Sequence, residues 1–329
     1  MVESNSCENS ESGQAMGRTA VGVIVAYAAC VLIWGTTWNA VRLCVLPGGF
    51  HPYTAAAARF GFAAAFLVLI WLTGLSRARP NCKYAASWIA GAGVLGVVSL
   101  GLVYTAQKSV SGGLAAIVAT TGPLVMALLA TVLKIEKVSL NSLLGAVISL
   151  AGIAILFGDR LQVSSDQAFG IVLLLLSVVL NAFMGIILKK HAAGEHPFVS
   201  VALSVAISLP CFFALSLGCE RTDFAALSMV SVLCAAYLGV MGSVVSFACY
   251  FYLLKRLKLM TISTMVFFPP IIALTVDCFI ERHISLSALS YAGIGVTMVG
   301  VAIGLLLEPL QRRRARMVPA RIELQDAEP

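Results

Sequence analysis

A single arginine lies deep in an apolar segment. Arg59 stands seven residues after Pro52 in PYTAAAARFGFAA, about 10 Å along a helix rising about 1.5 Å per residue. In a helix that crosses a bilayer, a charge at this depth costs about 2.5–3.5 kcal/mol on insertion scales, so it is expected to face the protein interior. Its guanidinium suits a substrate carboxylate or a hydrogen-bond network around a cavity. The structural alternatives are a tie to carbonyls of a broken fourth helix, or snorkelling outward. Trp34 and Trp38 are one helical turn apart in LIWGTTWNAVR, with Asn39 beside them. Trp34 offers a stacking surface for the apolar part of a small molecule and Asn39 a hydrogen bond to its polar part; plain packing and interface anchoring are the alternatives. Tyr104, Gln107, Asn181 and Tyr250 are further polar groups in apolar runs. Buried amides must be hydrogen-bonded, so Asn181 either meets a substrate or bridges helices.

Pro123 in ATTGPLV and Pro269 in VFFPPII remove backbone donors in mid-span and free carbonyls for water, side chains or substrate. The pair reads as gating bends or static kinks, the first loosened by Thr120, Thr121 and Gly122. Asp277 is the only acid within an apolar span, one turn before Glu281. It is a candidate for proton coupling, while Arg282 and His283 stand close enough in sequence to pair with it structurally.

The elements that position these groups follow from composition. The chain is 60% hydrophobic and 11% charged, against about 25% charged in soluble domains. Ten apolar runs are long enough to cross a bilayer, at about 19–41, 53–74, 84–107, 111–133, 139–157, 167–188, 197–217, 226–252, 261–280 and 285–307. They are continuous rather than alternating, which makes the strands of a barrel a poor alternative. The expected fold is an all-α polytopic membrane protein of ten transmembrane helices.

Basic residues divide unevenly between the two sides. The N-terminal tail, every second loop and the C-terminal tail carry Arg18, Arg77, Arg79, Lys83, Lys134, Lys137, Lys189, Lys190, Lys255, Arg256, Lys258, Arg312, Arg313, Arg314, Arg316 and Arg321. The other side carries Arg42, Lys108, Arg160, Arg221 and Arg282. The positive-inside rule predicts both termini in the cytoplasm. This anchoring accounts for the net charge of +7 without a nucleic acid partner. Residues 1–18 carry Glu3, Glu8 and Glu11 against Arg18, unlike a secretory leader, so 19–41 reads as a retained helix.

Landmarks recur at a near-constant offset. KIEKVSL (134–140) is answered by FIERHISL (279–286), Pro52 by Pro197, Tyr104 by Tyr250, Pro123 by Pro269, and Glu136 by Glu281, each about 145 residues later. Glu136 and Glu281 read as corner fasteners beside Ser139 and Ser285, which suit helix N-caps. The expected division is a tail (1–18), two five-helix repeats (19–158 and 159–309) and a basic tail (310–329). Five spans per repeat invert the second repeat relative to the first. Such inverted repeats build alternating-access carriers, with the substrate near mid-membrane between the repeats. Gly300 and Gly304, with Gly145 and Ser149, are expected to let helices 5 and 10 pack closely.

LIWGTTWNAVR, PYTAAAARFGFAA, the proline-bearing helices 4 and 9 and the duplicated Glu–Ser–Leu corners together resemble the EamA-type drug/metabolite transporters, over about residues 20–307. The resemblance implies a ten-helix carrier in the cell inner membrane, often an exporter of amino acids or related metabolites, with a cavity lined by helices 1, 3, 4, 6, 8 and 9. It implies a small-molecule substrate, with proton or exchange coupling. Asn181 stands where the second repeat would have the Gly of the WG pair, and helix 9 carries a double proline. Within the superfamily the alternative is a carrier of phosphorylated or nucleotide-linked sugars, which would want several intramembrane cations. Outside it, the alternative is a non-transporting scaffold or sensor.

No HExxH, GxSxG or Walker loop is present, and HAAGEH (191–196) departs from the HxxEH spacing. The nine cysteines form no CxxC pair and read as small buried hydrophobes. The sequence therefore points to no catalytic residue, metal site or cofactor.

Overall fold

A computed structural model describes residues 2–74, 85–134, 140–158, 165–191, 197–223, 227–254, 256–257, 264–280 and 288–306. Ten helical segments run through them: α1 (Val2–Val45), α2 (Pro52–Leu72), α3 (Ala85–Trp88, a π-helical stretch Ile89–Gly96, then Val97–Ala106) and α4 (Gly112–Ala119, then Gly122–Val132). The series continues with α5 (Leu140–Gly158), α6 (Ser165–His191), α7 (Pro197–Cys219) and α8 (Met229–Gly239, a π turn Val240–Val245, then Ser246–Leu254). It closes with α9 (a 3-10 turn Thr264–Phe267, then Phe268–Ile280) and α10 (Ala288–Leu306). No strand occurs among the described residues. Six segments are long and apolar enough to cross a membrane, Val21–Val45, Pro52–Leu72, Ala86–Ala106, Ser165–Ile187, Phe198–Cys219 and Met229–Tyr250. Shorter apolar runs lie in α4, α9 and α10, and α5 supplies a tenth segment of 19 residues. Trp71, Leu72, Val172, Leu217 and Phe279 are exposed, as side chains solvated by lipid would be.

The contacts between helices are those of an inverted repeat. The α2 and α7 helices occupy equivalent positions in the two halves and pack antiparallel. Thr54, early in α2, meets Ser216 and Glu220 at the far end of α7, while Phe60 stacks on Phe212 at 5.8 Å. The α5 and α10 helices are antiparallel too, with Gly145 against Gly300 and Gly304, and Gly152 against Gly293 and Thr297. A methyl group on Gly145 would come within 2.5 Å of the Gly300 carbonyl, so glycine allows this approach. Ser149 and Thr297 bond each other's carbonyls across the seam. Contacts between unlike helices come in matched pairs: α1 on α8 and α6 on α3, α1 on α9 and α6 on α4, α2 on α8 and α7 on α3. A two-fold operation generates each pair from its mate. Antiparallel equivalents place that axis in the membrane plane.

Both proline helices are interrupted near the expected positions. The α4 helix breaks at Thr120–Thr121 and restarts with Pro123 in its first turn, where the missing N–H has no intrahelical acceptor to lose. Pro269 and Pro270 likewise fall in the first turn of the α-helical part of α9. Pro210 lies inside α7, which runs on through it. The repeated corners, with Glu136, Ser139, Glu281, Arg282, His283 and Ser285, lie outside the described residues.

Candidate functional site

Arg59 lines a cavity of about 310 Å³ bounded by α2, α3, α6, α7 and α8. Close approach of α8 fixes the arginine's backbone, since a methyl group on Gly239 would come within 2.5 Å of the Arg59 carbonyl. Immediately after Gly239 the α8 chain widens into its π turn. There the Ser243 hydroxyl accepts from Arg59 Nε at 2.9 Å and donates to the Leu238 carbonyl at 3.0 Å. The π turn thus aims one hydroxyl at the guanidinium, a use typical of such turns. The second repeat's equivalent helix, α8, and its mate in the first, α3, both carry a π segment. Tyr104, fully buried, neighbours the guanidinium. No carboxylate pairs with Arg59 among the described residues, and none lines this cavity.

The rest of the lining is apolar apart from small hydroxyls and one amide. Ser200, Ser204 and Ser208 recur every four residues and present one face of α7 to the cavity. Phe60, Leu100, Met184, Val201, Val205 and Phe247 supply the apolar wall. Asn181 donates to the Ser99 hydroxyl at 2.5 Å and lines a second cavity as well, of about 300 Å³. That cavity also touches Trp38 and the α4 break at Gly122 and Pro123. Asn181 therefore bridges helices and meets cavity space together. From Arg59 the main cavity extends past Met184 and Ser200 to Trp88, residues near the helix ends that carry the basic loops.

At the opposite face, hydrogen bonds tie the helices together, most of them between the repeats. Asp277 of α9 accepts from Asn39 Nδ2 at 2.5 Å and from the Gly113 backbone N–H at 2.7 Å. Asn39 also donates to the Ala273 carbonyl at 3.1 Å. Glu220, just beyond α7, accepts from the Tyr53 and Thr54 backbone N–H groups at 2.9 and 2.8 Å and from the Thr54 hydroxyl at 2.8 Å. Asp277 and Glu220 of the second repeat thus each cap a helix N-terminus of the first, satisfying donors that have no intrahelical acceptor. Arg42 donates to the Gln107 carbonyl. Ser228 N–H donates to Gly48 O at 2.9 Å and the Ser231 hydroxyl to Leu43 O at 3.2 Å.

The expected site residues therefore fall into three groups. Arg59 and Asn181 line the main cavity, and Tyr104 is buried beside Arg59 without lining it. Asn39, Gln107 and Asp277 belong to the opposite-face closure, where the Gln107 side-chain amide is buried without a partner. Trp34 and Tyr250 pack on each other, ring centroids 5.4 Å apart, within a cluster drawn from α1, α8 and α9. The two cavities draw on α2 and α7 but not on α9, unlike the set of helices the resemblance implies. The α7 serine face and Glu220 were not anticipated. The four-residue spacing of the serines was present in PFVSVALSVAISLP as a signal.

The sequence profile of the EamA-like transporter family matches residues 20–158 and again 168–306. Protein PagO of Salmonella typhimurium is 26% identical over 271 residues, covering 80% of this chain and 86% of its own. The uncharacterized inner membrane transporter YedA of Escherichia coli is 24% identical over 281 residues, covering 84% and 88%. A protein solved by crystallography superposes with a TM-score of 0.62 at 18% identity, covering 88% of this chain and 98% of that one, and so shares the fold. With two profile matches that together span most of the chain, and with two inverted five-helix halves in the structure, this integral, multi-pass membrane protein belongs to the EamA-like transporter family.

Proposed function

We propose that this transporter is a secondary carrier that exports small metabolites, such as amino acids or their derivatives, by alternating access driven by proton or exchange coupling. One contrast supports the reading above all: a cavity holding an arginine without an acidic partner reaches toward the basic face, while the opposite face is sealed by contacts between the repeats. Such a molecule is in one of the two states that an inverted repeat allows. The basic face is the cytoplasmic one in this reading, so the cavity loads from inside. Arg59 holds the substrate carboxylate, Ser243 holds Arg59, and the α7 serines meet a polar substituent.

Uptake by purified protein in liposomes, against labelled amino acids, their carboxylate derivatives without an amino group, and sugar phosphates, tests this. Saturable transport of an amino acid or of such a derivative, lost in Arg59→Ala with folded protein still in the membrane, is the expected result. Sugar-phosphate transport would replace the substrate class. Transport unchanged in Arg59→Ala would remove Arg59 from the site. Transport of nothing by folded protein would favour a scaffold.

A further inference from the structure

We infer that the Arg59 cavity selects small monoanions, organic carboxylates that carry no free ammonium group, over zwitterions and cations of the same shape. This rests on the reading of the cavity as the substrate site and narrows its substrate class.

The inference comes from charge balance in a space that must exclude water. Arg59 Nε is held by Ser243, and its two terminal nitrogens have no acidic partner among the described residues. A guanidinium fork supplies the paired donors that a carboxylate accepts. Apart from Arg59, the described lining is neutral: serine hydroxyls, one amide, and apolar side chains.

Alternating access requires the site to pass through a state closed to both sides. In that state an unpaired guanidinium leaves a buried charge uncompensated, and breaking charge pairing in a dry site is strongly unfavourable. A monoanion brings the cavity to neutrality. A zwitterion leaves it at one positive charge and adds an ammonium that finds no carboxylate in the described lining. A cation doubles the positive charge. The apolar wall of Phe60, Leu100, Met184 and Phe247 takes the body of the molecule, and Ser200, Ser204 and Ser208 can donate to or accept from an uncharged substituent. At about 310 Å³ the cavity lies at the small end of the range of about 300–1,000 Å³ for ligand pockets, which fits one small metabolite rather than a nucleotide-linked one.

Four probes with a common phenylpropyl-like body and different charge separate the cases: 3-phenylpropionate, phenylalanine, phenethylamine and 3-phenylpropanamide. Binding to the full-length purified protein is read by thermal shift and by tryptophan fluorescence, neither of which needs transport to occur. The expected result is that 3-phenylpropionate binds at least about tenfold tighter than the other three. Arg59→Gln should erase that preference with the thermal unfolding temperature of the unliganded protein preserved, and Arg59→Lys should keep part of it. Phenylalanine or phenethylamine binding as tightly as 3-phenylpropionate overturns the inference; if the same compound is also carried into liposomes, the carrier reading survives the loss. Binding of none of the four by folded protein overturns the inference too. So does an anion preference that persists in Arg59→Gln, because the selectivity then comes from elsewhere.

Discussion

The two ends of the helix bundle are built from equivalent helices and are held together differently. At the opposite face, Asp277 and Glu220 reach from the second repeat to the N-termini of α4 and α2 in the first. Shifting by the repeat offset of about 145 residues gives the positions that would do the same at the basic face. Glu220 maps to Leu75, and Asp277 maps to Thr131 or Val132. Neither acid has an acidic counterpart. In the proposed carrier the duplicated fold makes two closures available, and these two acids strengthen one of them. Charge-assisted hydrogen bonds contribute about 1.5–3 kcal/mol each, enough to set which of two near-equivalent packings is populated. In the proposed carrier, this pair of acids holds the opposite face together while the cavity loads from the basic face.

This comparison can be broken in order of expected effect. Gly300→Leu acts on the α5–α10 seam, which belongs to neither face. A methyl group alone would come within 2.5 Å of the Ser149 amide nitrogen, and overpacking of this kind costs about 1–3 kcal/mol or more. The expected outcome is a lowered thermal unfolding temperature in detergent with no change in which face is open. Asp277→Asn combined with Glu220→Gln acts on one face alone. It should raise opposite-face accessibility of the buried native thiol of Cys44 about tenfold or more, as measured by a membrane-impermeant maleimide in a background where Cys44 is the one remaining cysteine; tenfold corresponds to about 1.4 kcal/mol. An unchanged labelling rate would mean that the acids fasten helices without governing the closure. Ser204→Ala should have the smallest effect. Loss of one cavity hydroxyl is expected to change substrate affinity by a few-fold, in line with about 0.5–1.5 kcal/mol for a neutral hydrogen bond. The affinity should be read from the concentration dependence of liposome uptake, with maximal rate unchanged.

Much of the fold was legible in the sequence, because lipid solvation forces continuous apolar runs of a fixed length and because the duplication repeats landmarks at one offset. The inversion followed from an odd number of spans. The α5–α10 seam was readable from its glycines, since only small residues let two backbones approach so closely. The π segments of α3 and α8 were not readable: a register shift in backbone hydrogen bonding leaves no mark in a composition that is apolar on every side. Arg59 was legible as an inward-facing residue because charge is costly in a membrane, and it lines the main cavity. Ser200, Ser204 and Ser208 were overlooked because serine also serves as a small packing residue at that same spacing. Asp277 stood out, but its partners Asn39 and Gly113 are 238 and 164 residues away. Arg282 and His283, the neighbours in sequence, lie outside the described residues.

The central claim is that one cavity serves both sides of the membrane in turn and rests open to the basic face. Side-specific labelling of Ser204→Cys, in protein whose nine native cysteines have been replaced and whose orientation in liposomes is known, tests it most directly. The account predicts reaction with an impermeant maleimide from the basic face in the resting protein, and reaction from the opposite face once Asp277→Asn and Glu220→Gln are added. Labelling of the resting protein from the opposite face, or from neither face in both backgrounds, would contradict it.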